Sequence, residues 1–455
     1  MSSAVLCRPV QSTSPRPGAV PLLPVIGADT VVPLVTGGTA RYVDLDAAAS
    51  SRALEPVATR VAEALPHYAS VHRGAGWLSQ VSTAAYESAR ETVAGFVGAR
   101  SDDVCVLVRH TTDALNLLAG CVPAGGAVLV LDCEHHADLL PWQQRGRVTV
   151  LPTAPTVVGT LRALGAELAA TPYALVAVTG ASNVTGESLP LPEVVQLAHA
   201  AGARVLVDGA QLVPHRRFSL AASGADYVAF SGHKAYAPFG SGALVGRRDW
   251  LDAAPAYLAG GGAVQEVTVE GTRWVPAPHR HEGGSPNVLG AVALAAACDA
   301  LAALPDGALA AHEQALRTRL VAGLAALPGV QVLRIWADST EPTGVVSFTV
   351  AGADPGLVAA YLSAEHGIGV RDGRFCAHPL LTRLGAPDGA LRASVGVGST
   401  LADVERLLTA LDVFLSCGPQ VRYDRVAGRW QPVDDPRPLL AAAAAGAGCA
   451  PVAPR

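Results

Sequence analysis

The stretch that decides the fold is Phe230-Ser231-Gly232-His233-Lys234-Ala235-Tyr236, which directly follows the apolar residues 227–229. Residues 227–230 are predicted to form a buried strand, which puts Lys234 just beyond the carboxyl end of that strand. Open α/β sheets bind their ligands at this edge. The stretch therefore predicts an α/β sheet with Lys234 at its ligand-binding edge.

Lys234 is the only lysine of the chain, because 32 of the 33 basic residues are arginine. Arginine replaces lysine as a surface cation, but its guanidinium stays protonated, whereas a buried lysine amine can lose its proton and form an imine. The alternative interpretation is a lysine that survived by chance on the surface, since lysine is normally solvated. Its position after the strand favours a chemical role.

The size and composition of the chain exclude several classes of protein. Its 455 residues exceed the usual length of one domain, and 50% are hydrophobic, which excludes a mostly disordered protein. The net charge of −5 comes without a basic stripe, so a nucleic-acid partner is not expected. No run of 18 apolar residues predicts a membrane span. We expect a soluble protein of two domains.

The cysteines are scattered, and no CxxC pair or Cys/His ligand spacing links them, so no metal site is predicted. The N-terminus lacks a charged start followed by an apolar core, so no secretory signal is predicted. Buried free thiols in a reducing cytoplasm fit this pattern. The eight cysteines are Cys7, Cys105, Cys121, Cys133, Cys298, Cys376, Cys417 and Cys449.

Short apolar runs alternate with helical stretches through the middle of the chain, which is typical of an α/β sheet protein. No Walker A or GxGxxG fingerprint follows a strand, so nucleotide hydrolysis and dinucleotide binding are disfavoured. The predicted strands are 105–108, 127–131, 175–178, 204–207, 227–230 and 243–245. The predicted helices are 112–119, 191–201 and 288–304.

The pattern changes near residue 305 and predicts a second, smaller α+β domain. Its predicted helices are 309–327, 355–366 and 401–415, and its predicted strands lie near 330–333 and 345–350. The expected division is an irregular N-terminal extension (1–40), a large domain whose first part packs on the small one (41–304), the small domain (305–417) and a partly mobile tail (418–455).

Polar residues also follow two other predicted strands. Asp208 directly follows the run 204–207. Burial of an aspartate charge is energetically unfavourable unless it meets a cation, such as the protonated ring nitrogen of pyridoxal phosphate. Thr111 and Thr112 open the helix 112–119, where N–H groups and hydroxyls bind phosphate readily. The plainer interpretations are a turn at Asp208 and a helix cap at either threonine.

A series of short motifs runs from about residue 41 to residue 416. They are Tyr42-Val43-Asp44-Leu45-Asp46-Ala47-Ala48, Val71-His72-Arg73-Gly74, Thr111-Thr112, Glu134-His135-His136 before Pro141-Trp142, Ser182-Asn183, Val207-Asp208-Gly209-Ala210-Gln211, Ser231-Gly232-His233-Lys234, Gly260-Gly261-Gly262, Glu282-Gly283-Gly284-Ser285-Pro286-Asn287 and Arg392-Ala393-Ser394. In these motifs and their order the chain resembles fold-type I pyridoxal-phosphate enzymes of the class V aminotransferase group. It is most similar to the SUF-type (group II) cysteine desulfurases and selenocysteine lyases.

The resemblance implies fold type I, with a large domain around a mainly parallel seven-stranded sheet, a smaller C-terminal α+β domain, and a homodimer. It also implies a role for each matching residue. Lys234 would hold pyridoxal 5'-phosphate as an imine and move the Cα proton, Asp208 would pair with the ring nitrogen, His135 would stack on the ring, and Asn183 and Gln211 would contact its phenolic oxygen. Thr111, Thr112, Ser231 and His233 would bind the phosphate, and Ser285 would reach it from the neighbouring subunit. Arg392 would bind the substrate carboxylate, and Asn183 and Arg371 would also contact the substrate.

Cys376 stands at the position of the family's nucleophilic cysteine, in Gly373-Arg374-Phe375-Cys376-Ala377-His378. Desulfuration needs a thiolate that attacks the substrate sulfur. The plainer interpretation is an inert cysteine, as most free cysteines are. SUF-type enzymes carry Thr-Gly-His-His or Thr-Gly-Gln-His before this cysteine, whereas this chain has Asp-Gly-Arg-Phe.

The resulting hypothesis is a homodimeric cysteine desulfurase that converts L-cysteine to L-alanine and a persulfide on Cys376, which an acceptor thiol or protein then takes up. One alternative is a class V aminotransferase, or a C–S lyase or epimerase, that acts on another amino acid. A second alternative is a non-catalytic scaffold on an enzyme fold. Lys234, Asp208 and Arg392 argue against the scaffold, since a binding module has no need of an imine-forming lysine.

Overall fold

The computed structural model describes residues 18–72 and 74–437. Cys7, Arg73, Cys449, residues 1–17 of the predicted N-terminal extension and residues 438–455 of the predicted tail lie outside the described residues. Among the described helices, none is both long enough and apolar enough to cross a membrane.

The secondary structure elements are as follows. The strands are β1 Val31–Pro33, β2 Thr39–Arg41, β3 Val43–Asp44, β4 Asp103–Val108, β5 Val128–Leu131, β6 Val148–Leu151, β7 Leu175–Thr179, β8 Arg204–Asp208, β9 Tyr227–Ser231, β10 Gly242–Arg247, β11 Val264–Val267, β12 Thr272–Trp274, β13 Val330–Val332, β14 Val345–Val350, β15 Ile368–Gly369, β16 Arg371–Gly373, β17 Ala390–Ser394, β18 Tyr423–Val426 and β19 Arg429–Pro432. The helices are α1 Glu55–Ala64, α2 Trp77–Phe96, α3 Thr111–Ala119, α4 Leu140–Arg145, α5 Val157–Ala170, α6 Leu191–Ala200, α7 Leu220–Ser223, α8 Arg248–Ala253, α9 Val288–Ala302, α10 Ala308–Ala326, α11 Pro355–His366, α12 His378–Arg383 and α13 Leu401–Cys417. Short 3-10 helices lie at Leu65–His67, His136–Asp138 and His279–His281.

A seven-stranded sheet in the order β4-β10-β9-β8-β7-β5-β6 forms the centre of the molecule. Only β10 runs against the other six strands, because it pairs antiparallel with both of its neighbours. The prediction of a mainly parallel seven-stranded sheet is confirmed. All six strands predicted from apolar runs lie in it, whereas β6 at its edge was not predicted.

The central strands are buried on both faces, which is why they read as continuous apolar runs. In β8, Val205 and Val207 pack into one core, and Leu206 between them packs into the other. Helix α6 covers the first face and α3 covers the second. Because all the parallel strands point the same way, their carboxyl ends meet along one edge of the sheet.

The small domain is built on the antiparallel sheet β13-β14-β17-β16. Helices α10, α11 and α13 pack on this sheet around residues such as Phe348 and Leu407. Strand β3 pairs in parallel with β15, so the segment before the large sheet lies against the small domain. The domain boundaries themselves stay predictions.

A hairpin of β18 and β19 lies in the segment that was predicted to be a tail. The buried Glu365 carboxylate of α11 accepts hydrogen bonds from the Gln420 backbone at 3.0 Å and from the Tyr423 hydroxyl at 3.1 Å. These bonds fix the segment after α13 against α11. The hairpin was not predicted, since the segment is held by this carboxylate from a distant part of the chain.

Candidate active site

The predicted site residues, with the exception of Ser285, converge on one cavity of about 300 Å³ at the carboxyl edge of the large sheet. The cavity is closed on the opposite side by the loop that carries Cys376 in the small domain. Its predicted lining residues are Thr111, Thr112, His135, Asn183, Asp208, Gln211, Ser231, His233, Lys234, Arg371, Cys376 and Arg392. Their individual roles stay predictions, but the structure brings them together from seven different segments of the chain.

Lys234 reaches the cavity through a tight turn after β9. Gly232 permits this turn, because a Cβ there would lie 2.8 Å from the backbone oxygen of Ser241. Burial lowers the pKa of Lys234 to about 8, even though the Asp208 carboxylate opposes that shift. A substantial fraction of the amine is therefore neutral near physiological pH, which is the form that attacks a carbonyl.

Asp208 is the last residue of β8 and is almost fully buried. Its Oδ1 accepts a hydrogen bond from the Ala210 backbone at 2.9 Å, which fixes the carboxylate at the strand end. Burial raises the pKa of Asp208, and the nearby Lys234 lowers it. A carboxylate held in this way is suited to bind a buried cation.

An anion cradle lies where α3 begins. The Thr111 backbone N–H donates to Ser231 Oγ at 2.7 Å, and the two hydroxyl oxygens are 2.6 Å apart. His110 caps the helix, because its Nδ1 accepts a hydrogen bond from the Asp113 backbone N–H at 3.1 Å. The helix N-terminus, two threonines and a serine hydroxyl therefore face one end of the cavity, as a bound phosphate requires.

His135 is mostly buried beside the cavity. Its Nδ1 accepts a hydrogen bond from the Ala137 backbone at 3.0 Å, which orients the ring. Burial, with the Lys234 charge as a lesser cause, lowers the pKa of His135 to about 3. The ring is therefore neutral at physiological pH.

Arg392 is buried in β17 and is held by the large domain. Its guanidinium donates to the Asn183 backbone oxygen at 2.9 Å and to Asp46 Oδ1 at 3.2 Å, while its Nε has no partner among the described residues. Arg371 lies 3.8 Å from the other Asp46 oxygen. Asp46 thus lies between the two arginines that were predicted to bind the substrate.

The loop of Cys376 has an unusual backbone conformation. Phe375 and Cys376 both have positive φ angles, of 50° and 53°, a region that residues other than glycine seldom adopt. The large domain holds this turn through the Asn183 side chain, which donates to the Phe375 oxygen at 2.7 Å, and the His136 backbone, which donates to the Cys376 oxygen at 2.8 Å. Cys376 itself is exposed at the mouth of the cavity.

Ser285 is the one predicted site residue that does not line this cavity. It is exposed and lines a second cavity of about 210 Å³ with Arg109, Asp113 and Tyr257. The Tyr257 hydroxyl donates to Asp113 Oδ1 at 2.7 Å, so this second cavity adjoins the first turn of α3. The predicted contact of Ser285 with a neighbouring subunit stays a prediction.

Sequence reasoning missed His110, Asp46 and Phe375. Asp46 and Phe375 stand inside motifs that were singled out, and His110 directly precedes the motif Thr111-Thr112, so the sequence around these motifs contained the signal. Phe375 lies under the Arg392 guanidinium, with 5.1 Å from Arg392 Cζ to the ring centroid. It therefore contributes a cation–π contact to the arginine that was predicted to hold the substrate.

The chain is similar to a group of known proteins over most of its length. Residues 43–407 match the aminotransferase class-V family. A cysteine desulfurase of Dickeya dadantii (strain 3937) is 38% identical over 379 residues, which are 81% of this chain and 90% of that protein. A cysteine desulfurase of Klebsiella pneumoniae (strain 342) is 37% identical over 81% of this chain and 92% of its own length.

Solved structures agree with these sequence relatives. The cysteine desulfurase CsdA of Escherichia coli, in its S-sulfonic acid form, superposes with a TM-score of 0.74 at 34% identity, over 82% of this chain and 94% of that one. The apo cysteine desulfurase of Thermococcus onnurineus NA1 gives a TM-score of 0.75 at the same identity and coverage.

Proposed function

Because this chain belongs to the aminotransferase class-V family, we propose that it is a pyridoxal-phosphate-dependent cysteine desulfurase. It takes the sulfur of L-cysteine and leaves L-alanine and a persulfide on Cys376. The observation that carries this proposal is that Cys376 and Lys234, from different domains, line the same cavity. An enzyme that only transferred amino groups would have no need of a thiol at this place.

Pyridoxal phosphate is the cofactor of this family, and the residues of the cavity fit it. A volume of about 300 Å³ lies at the lower end of the range for small-molecule sites. Gln211 and Arg392 both line the cavity. Each has a buried polar atom, Gln211 Oε1 and Arg392 Nε, with no partner among the described residues. These atoms offer hydrogen bonds that a cofactor and a substrate can complete.

Different residues would bind different parts of the cofactor. Lys234 would bind its aldehyde, Asp208 its ring nitrogen, and His135 one face of its ring. Thr111, Thr112, Ser231 and His233 would bind its phosphate, and Asn183 and Gln211 its phenolic oxygen. When bound, pyridoxal phosphate supplies an electron sink for the pair of electrons left on the substrate Cα.

The surrounding residues then bind and orient the substrate. Arg392 binds the substrate carboxylate, with Arg371 as a second cation at the mouth of the cavity. Lys234 Nζ, once free, takes the proton from Cα and returns it to the product. A lysine with a pKa of about 8 can do both near neutral pH.

Cys376 carries the step that distinguishes desulfuration. Its thiolate Sγ attacks the sulfur of the substrate, an S–S bond forms, and the Cβ–S bond breaks. The electron pair of that bond goes to Cβ, which takes a proton to become the methyl group of alanine. The carbon is reduced and the sulfur is oxidised to the sulfane level, so L-cysteine and the Cys376 thiol give L-alanine and the persulfide without another reactant.

The test compares Cys376→Ala with wild type for release of alanine and sulfide from L-cysteine in the presence of a dithiol. We expect the variant to lose both products while it keeps the absorbance of the lysine-bound cofactor. Cys417→Ala is the matched control, because Cys417 is also exposed and free but ends α13. Full activity in Cys376→Ala, or a wild type that binds cofactor but releases no sulfur, would contradict the proposal.

We also propose that two chains associate, with Ser285 of one reaching the phosphate bound by the other. The exposure of Ser285 beside the first turn of α3 supports this arrangement. Light scattering measures the mass in solution, and Ser285→Ala is expected to weaken cofactor retention. A monomer that retains cofactor fully would contradict the dimer.

The exposed Cys376 further supports transfer of its persulfide sulfur to an acceptor thiol or protein. We propose a cytoplasmic location, because the exposed free thiols Cys376 and Cys417 persist in a reducing compartment. Fractionation of the source cells tests the location.

A further inference from the structure

Two histidines and a glutamate meet outside the cavity, and none of them has a role in the site described above. His72 belongs to the motif Val71-His72-Arg73-Gly74, Glu87 lies in α2, and His279 begins the 3-10 helix before α9. One ring nitrogen of each histidine and one carboxylate oxygen of Glu87 all lie within 4.8 Å of one another. Among the residues that the structure describes, no other group of His, Cys, Asp or Glu side chains offers three ligand atoms in this way.

The position of His72 is fixed by two contacts with one face of α2. Its backbone N–H donates to Thr83 Oγ1 at 2.9 Å, and its Nε2 lies 2.7 Å from Glu87 Oε1. Thr83 and Glu87 share a face of α2, because they are one helical turn apart. The backbone of His72 has a positive φ of 63°, which residues other than glycine seldom adopt and which the surrounding contacts must stabilise. His72 is thus held with its ring beside the Glu87 carboxylate.

Arg90 brings the segment of His279 against the same helix. Its guanidinium donates to Glu282, which follows the 3-10 helix of His279, at 2.6 and 2.9 Å. It also donates to the two Glu87 oxygens, at 2.9 Å to Oε2 and 3.2 Å to Oε1. An ionised carboxylate has about four lone-pair sites, so Glu87 keeps some for a further partner. Arg90 therefore orients the Glu87 carboxylate from behind, as the partners of metal-binding carboxylates do.

The His279 ring has no hydrogen-bond partner of its own among the described residues. It is only partly buried, and it lies edge-on to the His72 ring, with 5.2 Å between the ring centroids and 72° between the ring planes. Rotation of this ring breaks no hydrogen bond with a described residue. A nitrogen of His279 can therefore turn towards the contact between His72 and Glu87.

These ligand atoms and their spacing suit a divalent transition metal ion. Imidazole nitrogens and carboxylate oxygens bind Zn²⁺ at about 2.0–2.2 Å, which places two ligand atoms of a tetrahedral site about 3.3 Å apart. The contact between His72 and Glu87 must open slightly to reach this distance, and the His279 nitrogen must approach by at most about 1.5 Å. Two nitrogen ligands in a set of three disfavour Ca²⁺ and Mg²⁺, which prefer oxygen ligands.

We propose that His72, Glu87 and His279 bind one divalent transition metal ion, best matched by Zn²⁺, which joins α2 to the segments before it and before α9. About a third of each of the His72 and Glu87 side chains is exposed, so the ion can enter from solvent and a water molecule can be the fourth ligand. The metal replaces the proton between His72 and Glu87. The three ligands do not line the cavity of Lys234, so the site depends on neither the proposed cofactor nor the proposed substrate.

Calorimetric titration of the holoenzyme with Zn²⁺, after dialysis against a chelator, tests the site. We expect one Zn²⁺ per chain, and an affinity more than about 100-fold lower in His279→Ala, since even the partners behind metal ligands contribute about 10–100-fold. His67→Ala is the matched control, because His67 is an exposed histidine that precedes α2 but lies outside the group. A wild type that binds no Zn²⁺, or a His279→Ala variant that binds it as wild type does, would overturn the proposal.

The exposed thiols are the competing ligands for Zn²⁺ in the described part of the chain. Cys376→Ala and Cys417→Ala are expected to keep the bound ion. Loss of the ion from either cysteine variant, with retention in His279→Ala, would assign it to a thiol and overturn the proposal.

Thermal unfolding gives a second measurement. Excess Zn²⁺ is expected to raise the Tm of wild type and of His67→Ala, and a chelator is expected to reverse the increase, whereas the Tm of His279→Ala should not respond. An equal increase in His279→Ala would overturn the proposal. Neither measurement uses enzymatic activity, so both remain valid if L-cysteine is not desulfurated.

Discussion

Asn183 donates a hydrogen bond from Nδ2 to the backbone oxygen of Phe375 across 2.7 Å, and so ties the large domain to the loop that precedes Cys376. The backbone oxygen of Asn183 also accepts a hydrogen bond from the Arg392 guanidinium. Asn183 therefore sets the position of both the thiol and the substrate-binding guanidinium. Together with Asp46, which also binds Arg392, and His136, which also binds Cys376, it fixes the two functional groups of the small domain relative to Lys234.

Replacement of Asn183 by Asp is expected to slow persulfide formation on Cys376 by about 5–140-fold. The aspartate has nearly the same shape but faces the Phe375 oxygen with an acceptor, so a hydrogen bond becomes a repulsion, which costs about 1–3 kcal/mol. Single-turnover persulfide formation measures the effect. Thr382→Ala is the control, because it removes a donor to the nearby His378 oxygen outside the cavity. Equal rates in Asn183→Asp and wild type would contradict the role of this contact.

The left-handed conformation of Cys376 predicts an unusual order of stability among its variants. Cys376→Gly is expected to be more stable than Cys376→Ala by about 0.5–1 kcal/mol, since alanine is strained at a φ of 53° and glycine is not. Thermal unfolding of the two holoenzyme variants gives the comparison. Both variants lack the thiol, so reactions of the thiol do not affect the comparison of their stabilities. A more stable alanine variant would show that the loop relaxes out of this conformation.

The large sheet and the cofactor site were the predictable parts of the molecule. The buried parallel strands give continuous apolar runs, and the polar residues just after those runs, Asp208 and Lys234, must meet at one edge. Other site residues, such as His135 and Arg392, came from the family resemblance, and their roles stay predictions. Strand β6 was missed because it lies at the edge of the sheet and is only partly buried, which weakens its apolar pattern.

The parts that were not predicted depend on contacts between distant segments. Helix α2 has mixed polarity, with serines on its buried side and Trp77 largely exposed at its start, so no clear apolar stripe marks it. Asp46 binds Arg392 across 346 positions of sequence, and Glu365 fixes the hairpin of β18 and β19. The conformation of Cys376 likewise depends on donors from Asn183 and His136. Residue type alone does not encode such partners.

Substitution of Arg392 by lysine is expected to raise KM for L-cysteine by about 10–100-fold. A lysine amine cannot hold Asn183 and Asp46 and bind a carboxylate in the bidentate way of a guanidinium, and each charge-assisted hydrogen bond contributes about 1.5–3 kcal/mol. Steady-state kinetics with the holoenzyme measures the change. Arg371→Lys is the control, because Arg371 is exposed and lies 3.8 Å from Asp46. This variant is expected to change KM by less than roughly threefold. An Arg392→Lys variant with unchanged KM would exclude carboxylate binding here.

The lowered pKa of Lys234 predicts how cofactor loading depends on pH. Only the neutral amine reacts with an aldehyde, and its fraction increases as the pH rises through the pKa, so covalent capture of pyridoxal phosphate by the cofactor-free protein should accelerate with pH and level off above about 8. A solvent-exposed lysine would instead continue to accelerate to about pH 10. Stopped-flow absorbance between pH 6.5 and 9.5 distinguishes the two curves, with Lys234→Ala as the baseline. A rate that still rises steeply at pH 9.5 would show that burial does not hold the amine in its reactive form.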